Sequence, residues 1–354
     1  MREQSSLSEE RDGAERVVAV TGVSGFLGQR LLPLLDASPQ VDRVVGLDVR
    51  DPPRRARKLE FHRVDVVGRE LLPYLRGVDV IVHLAAVHGP LPDEDLFTRV
   101  NVEGTRRVLD AAAAAGVHKV VRPSSTSVYG AWANNPVPIT EDAPLRPSPS
   151  FLPAIVDAEC ERMLAEWAAA QTGRVATRLR IAPVLGAGAQ SLFAALALRQ
   201  APVRVRGAAP PVQVVHVDDA AGALELVTNI DLDGAFNVAA DGWLTAEEAN
   251  ALLPGRRVPG IPGQLAERVL GAMWSSGLGD APPSIVPYLT HPWVVANDRL
   301  KAAGWKPRHS NDEAILLATP VDDRSLVPWL AGAGALATGI ALGTWWLTRK
   351  RRRR

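Results

Sequence analysis

The sequence is poor in three residue types whose chemistry serves many functions: cysteine, tyrosine and lysine. Its single cysteine, Cys160, cannot form an internal disulfide, which excludes disulfide-framed secreted folds and favours a reducing compartment. The chain has three tyrosines, and none lies between Tyr129 and Tyr288. No lysine lies between Lys119 and Lys301. The middle of the chain therefore lacks a tyrosine and a lysine that could act together in proton transfer.

The chain also lacks an excess of either charge over most of its length. It has 40 basic and 39 acidic residues, but six of the basic ones are residues 349–354, so the rest has a formal charge of −5. This balance leaves no basic surface for nucleic acid and excludes that partner. Residues 1–13 are polar and contain no apolar signal-peptide core, which predicts a disordered leader and a cytoplasmic soluble part.

A long uncharged run lies near the C-terminal end, at residues 326–348. As a helix it would extend roughly 34 Å, enough to cross a hydrocarbon core of about 30 Å, and Trp329, Trp345 and Trp346 lie near its ends. We therefore predict a membrane helix followed by a polybasic tail, residues 349–354, on anionic lipid. A buried core helix and an interfacial or re-entrant segment are the alternatives. The orientation of the helix stays open. A cytoplasmic domain followed by a final span would put the basic tail outside, whereas the positive-inside rule predicts that the tail lies inside.

Short runs of β-branched residues alternate with amphipathic stretches from residue 16 onward, a pattern typical of βαβ units around a parallel sheet. Pro33 lies inside the first apolar stretch and should kink or shorten a helix there. After about residue 186 the strands become shorter, which predicts a smaller lobe. The predicted strands cover residues 16–21, 43–48, 58–66, 78–84, 119–125 and 175–181, with helices at 96–115 and 154–170.

Three glycines directly follow the first predicted strand, at Gly22, Gly25 and Gly28. Glycine there allows a tight turn and a close approach of the backbone to a pyrophosphate at a helix N-terminus. Asp48 ends the next strand, where a carboxylate can accept hydrogen bonds from the adenosine ribose and repel a 2′-phosphate. The sequence therefore predicts NAD rather than NADP. The predicted fold is α/β, a doubly wound parallel sheet of the Rossmann type over residues 14–185 with a smaller C-terminal substrate lobe over residues 186–320.

Several motifs occur in one order: TGVSGFLG, Asp48, Asp65-Val66, HLAA at residues 83–86, NVEGT at 101–105 and SSTSVYG at 124–130. In this order the chain resembles the extended short-chain dehydrogenase/reductase family of the NAD-dependent epimerase/dehydratase type, over residues 16–314. That family includes nucleotide-sugar epimerases and hydroxysteroid dehydrogenases. The resemblance implies cofactor contacts from Gly22, Ser24, Gly25, Phe26, Leu27, Gly28, Asp48, Asp65, Val66, Leu84, Ala85, Ala86, Asn101 and Ser124.

The resemblance assigns a catalytic serine to Ser125, four residues before Tyr129 in the VYG motif. The family also uses a Tyr-x-x-x-Lys pair about twenty residues later, in which tyrosine exchanges a proton and lysine lowers its pKa. This chain has neither. Its helix SFLPAIVDAECERMLAEW aligns in two registers, with Phe151 and Ile155 at the paired positions if the family's helix glutamate is Glu159, or Pro153 and Asp157 if it is Glu161.

Other side chains offer substitutes for the missing pair. Asp157 and Glu159 are candidates for an alternative carboxylate base near the nicotinamide, and the alternative is that one of them is an exposed surface charge on the helix. Tyr129 is interpreted as a packing residue, and Cys160, flanked by two glutamates, as a core residue rather than a nucleophile. The histidines show no metal-like spacing, and no metal site is predicted.

These observations predict a membrane-anchored NAD-binding protein with a degenerate active site, inactive or of atypical chemistry. One alternative is an active NAD-dependent epimerase, dehydrogenase or dehydratase of a nucleotide sugar, sterol or lipid-linked substrate. Another is a structural dinucleotide-binding subunit of a membrane complex. The predicted protein partners are a second copy of the chain, in a homodimer, or the members of a membrane complex. Trp243, Trp274 and Trp293 are candidates to line an apolar pocket for a lipidic ligand or to touch the bilayer.

Overall fold

The computed structural model describes residues 15–319, apart from residues 88, 90–92, 190, 199–202 and 254–258. The predicted leader, residues 1–13, lies outside this range, as do the predicted membrane helix, residues 326–348, and the polybasic tail, residues 349–354. Within the described part of the chain, no helix combines the length and apolar character that a membrane span needs.

A seven-stranded parallel sheet forms the centre of the protein, with the strand order β3-β2-β1-β4-β5-β6-β10. This order reverses direction beside β1, as in doubly wound dinucleotide-binding folds, and it confirms the predicted fold class. The strands predicted at residues 16–21, 119–125 and 175–181 have the bounds that were predicted. The strands are β1 Arg16–Thr21, β2 Val41–Asp48, β3 Leu59–Arg63, β4 Val80–His83, β5 Lys119–Ser125, β6 Val175–Ile181 and β10 Gly234–Val238.

Helices cover both faces of this sheet because successive strand residues point to opposite sides. In β1, Val18 and Val20 belong to one buried cluster, and Ala19 between them belongs to another. The first cluster includes residues of α1 Gly28–Ala37 and α7 Val217–Asn229. The second includes residues of α2 Leu72–Leu75, α4 Gly104–Ala115 and α5 Leu152–Ala169. Pro33 lies inside α1, which runs for ten residues.

The long helix predicted at residues 96–115 is interrupted. It consists of α3 Glu94–Thr98, a π-helical turn Arg99–Glu103, and α4. Such turns often mark places where a side chain is needed in a particular direction. Here Asn101 lies in the π turn and bonds to the backbone that follows β4.

The chain after β6 divides between the main sheet and a smaller lobe. Strand β10 and helix α7 return to the main sheet, so the lobe is interleaved with the first domain. The predicted boundary between residues 185 and 186 stays a prediction. The remaining elements are β7 Val184–Leu185, α6 Leu192–Ala197, β8 Arg204–Val205, β9 Val215–His216, α8 Ala246–Leu252, β11 Gly260–Ile261, α9 Gly263–Ser275, a 3₁₀ helix Pro283–Leu289, α10 Asp298–Ala302 and α11 Asn311–Ala318.

Candidate functional site

The turn between β1 and α1 is built around glycines that no other residue could replace without strain. Gly22 has φ of 70°, and a Cβ there would lie 2.6 Å from the backbone nitrogen of Ala85. A Cβ on Gly28 would lie 2.5 Å from the carbonyl oxygen of Val23. The turn therefore brings bare backbone to the N-terminus of α1, where amide groups can face a pyrophosphate.

The groove above this turn collects most of the predicted phosphate-side residues. Its lining includes Pro123 from β5, which sequence reasoning missed because proline at that position carries no nucleotide-binding signal. The other lining residues are Gly22, Gly25, Phe26, Leu27, Gly28 and Leu84. Residues from three separate segments of the chain thus meet at the carboxyl ends of adjacent parallel strands, where ligands of this fold class bind.

Asp48 lies at the end of β2, beside the glycine turn, and is nearly buried. Its Oδ2 accepts a hydrogen bond from the backbone N–H of Ser24 at 2.9 Å, and its Oδ1 accepts one from the N–H of Arg50 at 3.0 Å. Each carboxylate oxygen can accept further bonds. The position agrees with the predicted contact to an adenosine ribose, and Ser24 is held in place by the same carboxylate.

The segment after β4 is joined to a buried polar network through Ala85, whose backbone N–H donates to the hydroxyl of Thr21 at 3.1 Å. Thr105 donates its hydroxyl hydrogen to the carbonyl of Asn101, so His83 Nε2 must donate to Thr105, and His83 Nδ1 accepts from Thr21. Burial, aided by Arg122, lowers the pKa of His83 to about 3, so the ring stays neutral.

Asn101 also holds the segment that follows β4, through two hydrogen bonds to the backbone of Val87. Its Oδ1 accepts from the backbone N–H of Val87 at 2.9 Å, and its Nδ2 donates to the carbonyl of Val87 at 3.1 Å. The side chain therefore fixes the backbone of Val87, and a direct cofactor contact stays a prediction. Asp65 is exposed and the Val66 side chain is buried in the core, so Asp65 can offer its carboxylate to an adenine and Val66 only its backbone groups; both contacts stay predictions.

The two serines at the end of β5 have different surroundings. Ser125 is half-buried, and its Oγ accepts a hydrogen bond from the N–H of Ser127 at 3.1 Å, capping the 3₁₀ turn Thr126–Tyr129. Ser124 is buried and donates its hydroxyl to Glu161 Oε1 at 2.6 Å. The Ser124 hydroxyl therefore donates its only hydrogen to helix α5. This bond does not support the predicted contact of Ser124 with the cofactor.

Helix α5 presents two carboxylates to the sheet, one turn apart. Asp157 Oδ1 accepts from both terminal nitrogens of Arg122 at 3.1 and 3.2 Å, and Arg122 lies on β5. Glu161 accepts from Arg180 of β6, with Oε2 2.8 Å from Nη2. By contrast, Ile155 is exposed to solvent. A lysine that reaches a cofactor on the sheet edge must lie on the sheet-facing side, which is the side of Asp157.

Phe151 is buried at the other end of this helix, within the smaller lobe. Its ring lies 5.0 Å from that of Tyr288 and 5.6 Å from that of Phe193, centroid to centroid. Trp293 extends the same cluster through Phe193, at 4.9 Å. Of the three tryptophans named as candidates to line an apolar pocket or touch the bilayer, Trp293 lies in this cluster, Trp274 lines a separate cleft and Trp243 is exposed.

The family model described as the NAD dependent epimerase/dehydratase family matches residues 18–239. The chain belongs to this family. A protein of Sinorhizobium fredii, y4nG, is 28% identical over 314 residues, 85% of this chain and 77% of that protein. The dTDP-glucose 4,6-dehydratase of Streptomyces griseus is 37% identical over 150 residues, 37% of this chain and 44% of that enzyme. The structure of MoeE5 in complex with UDP-glucuronic acid and NAD has the same fold, with a TM-score of 0.66, 24% identity, and coverage of 84% of this chain and 96% of MoeE5.

Membership confirms NAD as the cofactor predicted for the glycine turn. The residues present fit it, because the turn leaves no room for a Cβ at Gly22 or Gly28 and because Asp48 borders the groove. The preference for NAD over NADP is a separate matter and stays a prediction.

Tyr129, the tyrosine of the VYG motif, is locked into the core. Its hydroxyl donates to Asn237 Oδ1 at 2.9 Å and accepts from Arg180 at 2.7 Å. Burial raises the pKa of Tyr129 to about 12, although Arg180 opposes the shift. With 1% of its surface exposed, Tyr129 cannot exchange protons with a ligand, which confirms its interpretation as a packing residue.

The remaining candidates for acid–base chemistry differ in environment. Glu159 is partly exposed and bonded to Arg162, which lowers its pKa, so its placement does not support a catalytic role. Cys160 is fully buried, and burial raises the pKa of its thiol, which confirms it as a core residue. Burial also raises the pKa of Asp157, against the opposing charge of Arg122. About a quarter of the Asp157 side chain is exposed.

No group of three or more histidine, cysteine, aspartate or glutamate side chains is arranged to hold a metal ion in the described part of the chain. The predicted absence of a metal site stays a prediction.

Proposed function

We propose that this protein binds NAD but lacks the proton-transfer pair of its family, so that its site is degenerate. The observation that carries this proposal is the contact of Asp157 with Arg122 on the sheet-facing side of α5, while Ile155 is exposed. It favours the register in which Glu161 is the family's helix glutamate. Pro153 and Asp157 then occupy the paired positions.

These two residues cannot reproduce the chemistry of tyrosine and lysine. Proline has no proton to exchange, and general acid–base catalysis contributes about 10²- to 10⁴-fold to a rate. A carboxylate at the lysine position has the wrong charge, because a nearby negative charge raises the pKa of a hydroxyl instead of lowering it. The cation that Arg122 brings is already bonded to Asp157.

The residues that line the cofactor groove support the other part of the proposal, the binding of NAD. The glycine turn and the N-terminus of α1 would hold the pyrophosphate, and Asp48 would hold the adenosine ribose. Bound NAD supplies a hydride acceptor. The chain's own residues would bind and orient it, and the half-buried hydroxyl of Ser125 is one polar group that could contact a ligand oxygen.

Calorimetry with NAD and NADP tests the cofactor half. We expect NAD to bind at least about tenfold more tightly, a difference of about 1.4 kcal/mol, since Asp48 would repel the 2′-phosphate. Asp48→Asn should bring the two affinities together. Asp51→Asn is the matched control, because Asp51 is exposed and pairs with Arg63. Equal affinities in the unmodified protein would remove the role of Asp48, and no binding of either would end the proposal.

A second candidate is an active enzyme on a nucleotide sugar, with Asp157 as a carboxylate base. The match to the dTDP-glucose 4,6-dehydratase of Streptomyces griseus favours it, and so does the raised pKa of Asp157. A raised pKa brings a carboxyl nearer to the range of a useful acid or base. Against it stands the bond to Arg122, which occupies one carboxylate oxygen. A degenerate site without any turnover would make the protein a structural subunit, alone or in a membrane complex, in which bound NAD only stabilises the fold.

The proposal includes a membrane anchor at residues 326–348 and a cytoplasmic soluble part, on the strength of the uncharged run and the basic residues that follow it. We expect the intact protein to stay on membranes in high salt and to need detergent for extraction. Truncation after Asp323 should release it. Juxtamembrane charges contribute about 1 kcal/mol each on anionic lipid and are screened by salt, so release by salt alone would indicate surface binding.

A further inference from the structure

A shallow cleft opens where the smaller lobe meets the beginning of α5. Its apolar walls include Phe97 of α3, Pro153 of α5, Trp274 of α9 and Pro282. Phe97 and Pro282 are buried, and Trp274 and Pro153 are partly exposed, so part of the wall is accessible to solvent. The cleft is separate from the groove above the glycine turn, with which it shares no lining residue.

The polar groups of the cleft are few and carry no positive charge. Glu94 lies at its edge and is exposed, and Ser150 and Ser284 contribute hydroxyl groups. No arginine, lysine or histidine is among the described residues that line it. A nucleoside diphosphate needs cations or converging N–H groups to compensate its phosphates, and here it would meet a carboxylate instead.

We propose that this cleft binds an uncharged, largely apolar ring compound that carries a hydroxyl or carbonyl group, and that it does not bind a nucleoside diphosphate. The flat indole of Trp274 offers a face for a ring to stack on, and the serine hydroxyls can bond to a single oxygen of the ligand. The proposal rests on the proposed function in one respect: Pro153, which forms part of the wall, takes the position of the family's tyrosine. The cleft is therefore the ligand site that corresponds to the missing proton donor.

Titration of the full chain with 2-naphthol as the apolar probe and UDP-glucose as the anionic probe tests this inference, with and without saturating NAD. We expect 2-naphthol to bind more tightly than UDP-glucose. Trp274→Ala should weaken 2-naphthol binding at least tenfold. Trp243→Ala is the matched control, since Trp243 is exposed and does not line the cleft, and it should leave the affinity unchanged.

A second variant keeps the test decisive if Trp274→Ala does not fold. Glu94 is exposed, so Glu94→Arg should fold normally, and it should raise the affinity for UDP-glucose several-fold with little effect on 2-naphthol. No binding of 2-naphthol, equal losses in the two tryptophan variants, or tighter binding of UDP-glucose that depends on Trp274 would each overturn the inference. Titration of NAD in the same samples reports on the cofactor site alone, so a failure of the proposed function is recognised separately.

Discussion

Replacing Arg180 with leucine is expected to lower the free energy of unfolding by about 3–5 kcal/mol, because it leaves a buried carboxylate without its partner. Arg180 and Glu161 are both nearly buried, and the guanidinium bonds to both carboxylate oxygens. Burial alone would lower the pKa of Arg180, but the bonds and charge of Glu161 raise it. The same guanidinium donates to Tyr129, so one substitution removes a partner from two buried groups.

Urea denaturation followed by tryptophan fluorescence measures this loss. Arg162→Leu is the matched control: Arg162 lies on α5 and pairs with Glu159 and Glu166, but at the surface, where such pairs contribute about 0–1 kcal/mol. Removing both charges, with Arg180→Leu and Glu161→Leu together, should restore part of the stability since no charge is left buried alone. A loss for Arg180→Leu no larger than that for Arg162→Leu would contradict the role assigned to the pair.

The second large effect concerns turnover. With NAD and dTDP-glucose or UDP-glucose, the unmodified protein is expected to transfer hydride about 10²- to 10⁴-fold more slowly than the dTDP-glucose 4,6-dehydratase of Streptomyces griseus assayed beside it. The reason is that, in our proposal, Pro153 and Asp157 take the positions of the family's tyrosine and lysine and supply neither the tyrosine hydroxyl nor the lysine cation. The absorbance of reduced nicotinamide in single-turnover experiments gives the measurement.

Two variants of α5 separate a degenerate site from a carboxylate mechanism. Asp157→Asn removes the carboxylate that faces the sheet, and Glu159→Gln removes one that is bonded to Arg162 at the surface. Neither should change an already negligible rate. Robust turnover by the unmodified protein, abolished in Asp157→Asn and retained in Glu159→Gln, would show that Asp157 is the base and would replace our proposal by the second candidate function.

The choice between registers in α5 illustrates what sequence reasoning left undecided. Both Glu159 and Glu161 are plausible helix glutamates in the sequence, since they are two residues apart in one polar stretch. The structure separates them, because residues 157 and 161 face the sheet one turn apart while Glu159 is bonded at the surface. The sheet-facing side of α5 is identified by Arg122 on β5 and Arg180 on β6, which bond to Asp157 and Glu161. The helical periodicity of the sequence alone does not distinguish that side.

The sequence by itself determined the strands that alternate with helices, the glycine turn after β1, and Asp48 at the end of β2. These features depend on short-range rules: β-branched runs form strands, glycine accepts the φ of 70° found at Gly22, and parallel strands end at one edge. Only the tertiary structure decided that Ser124 donates its hydroxyl to Glu161, that Pro123 lines the cofactor groove, and that Trp274 and Pro153 line one cleft. Each of these joins residues far apart in the chain, and their meeting depends on how the helices and the smaller lobe pack against the sheet, which no local pattern encodes.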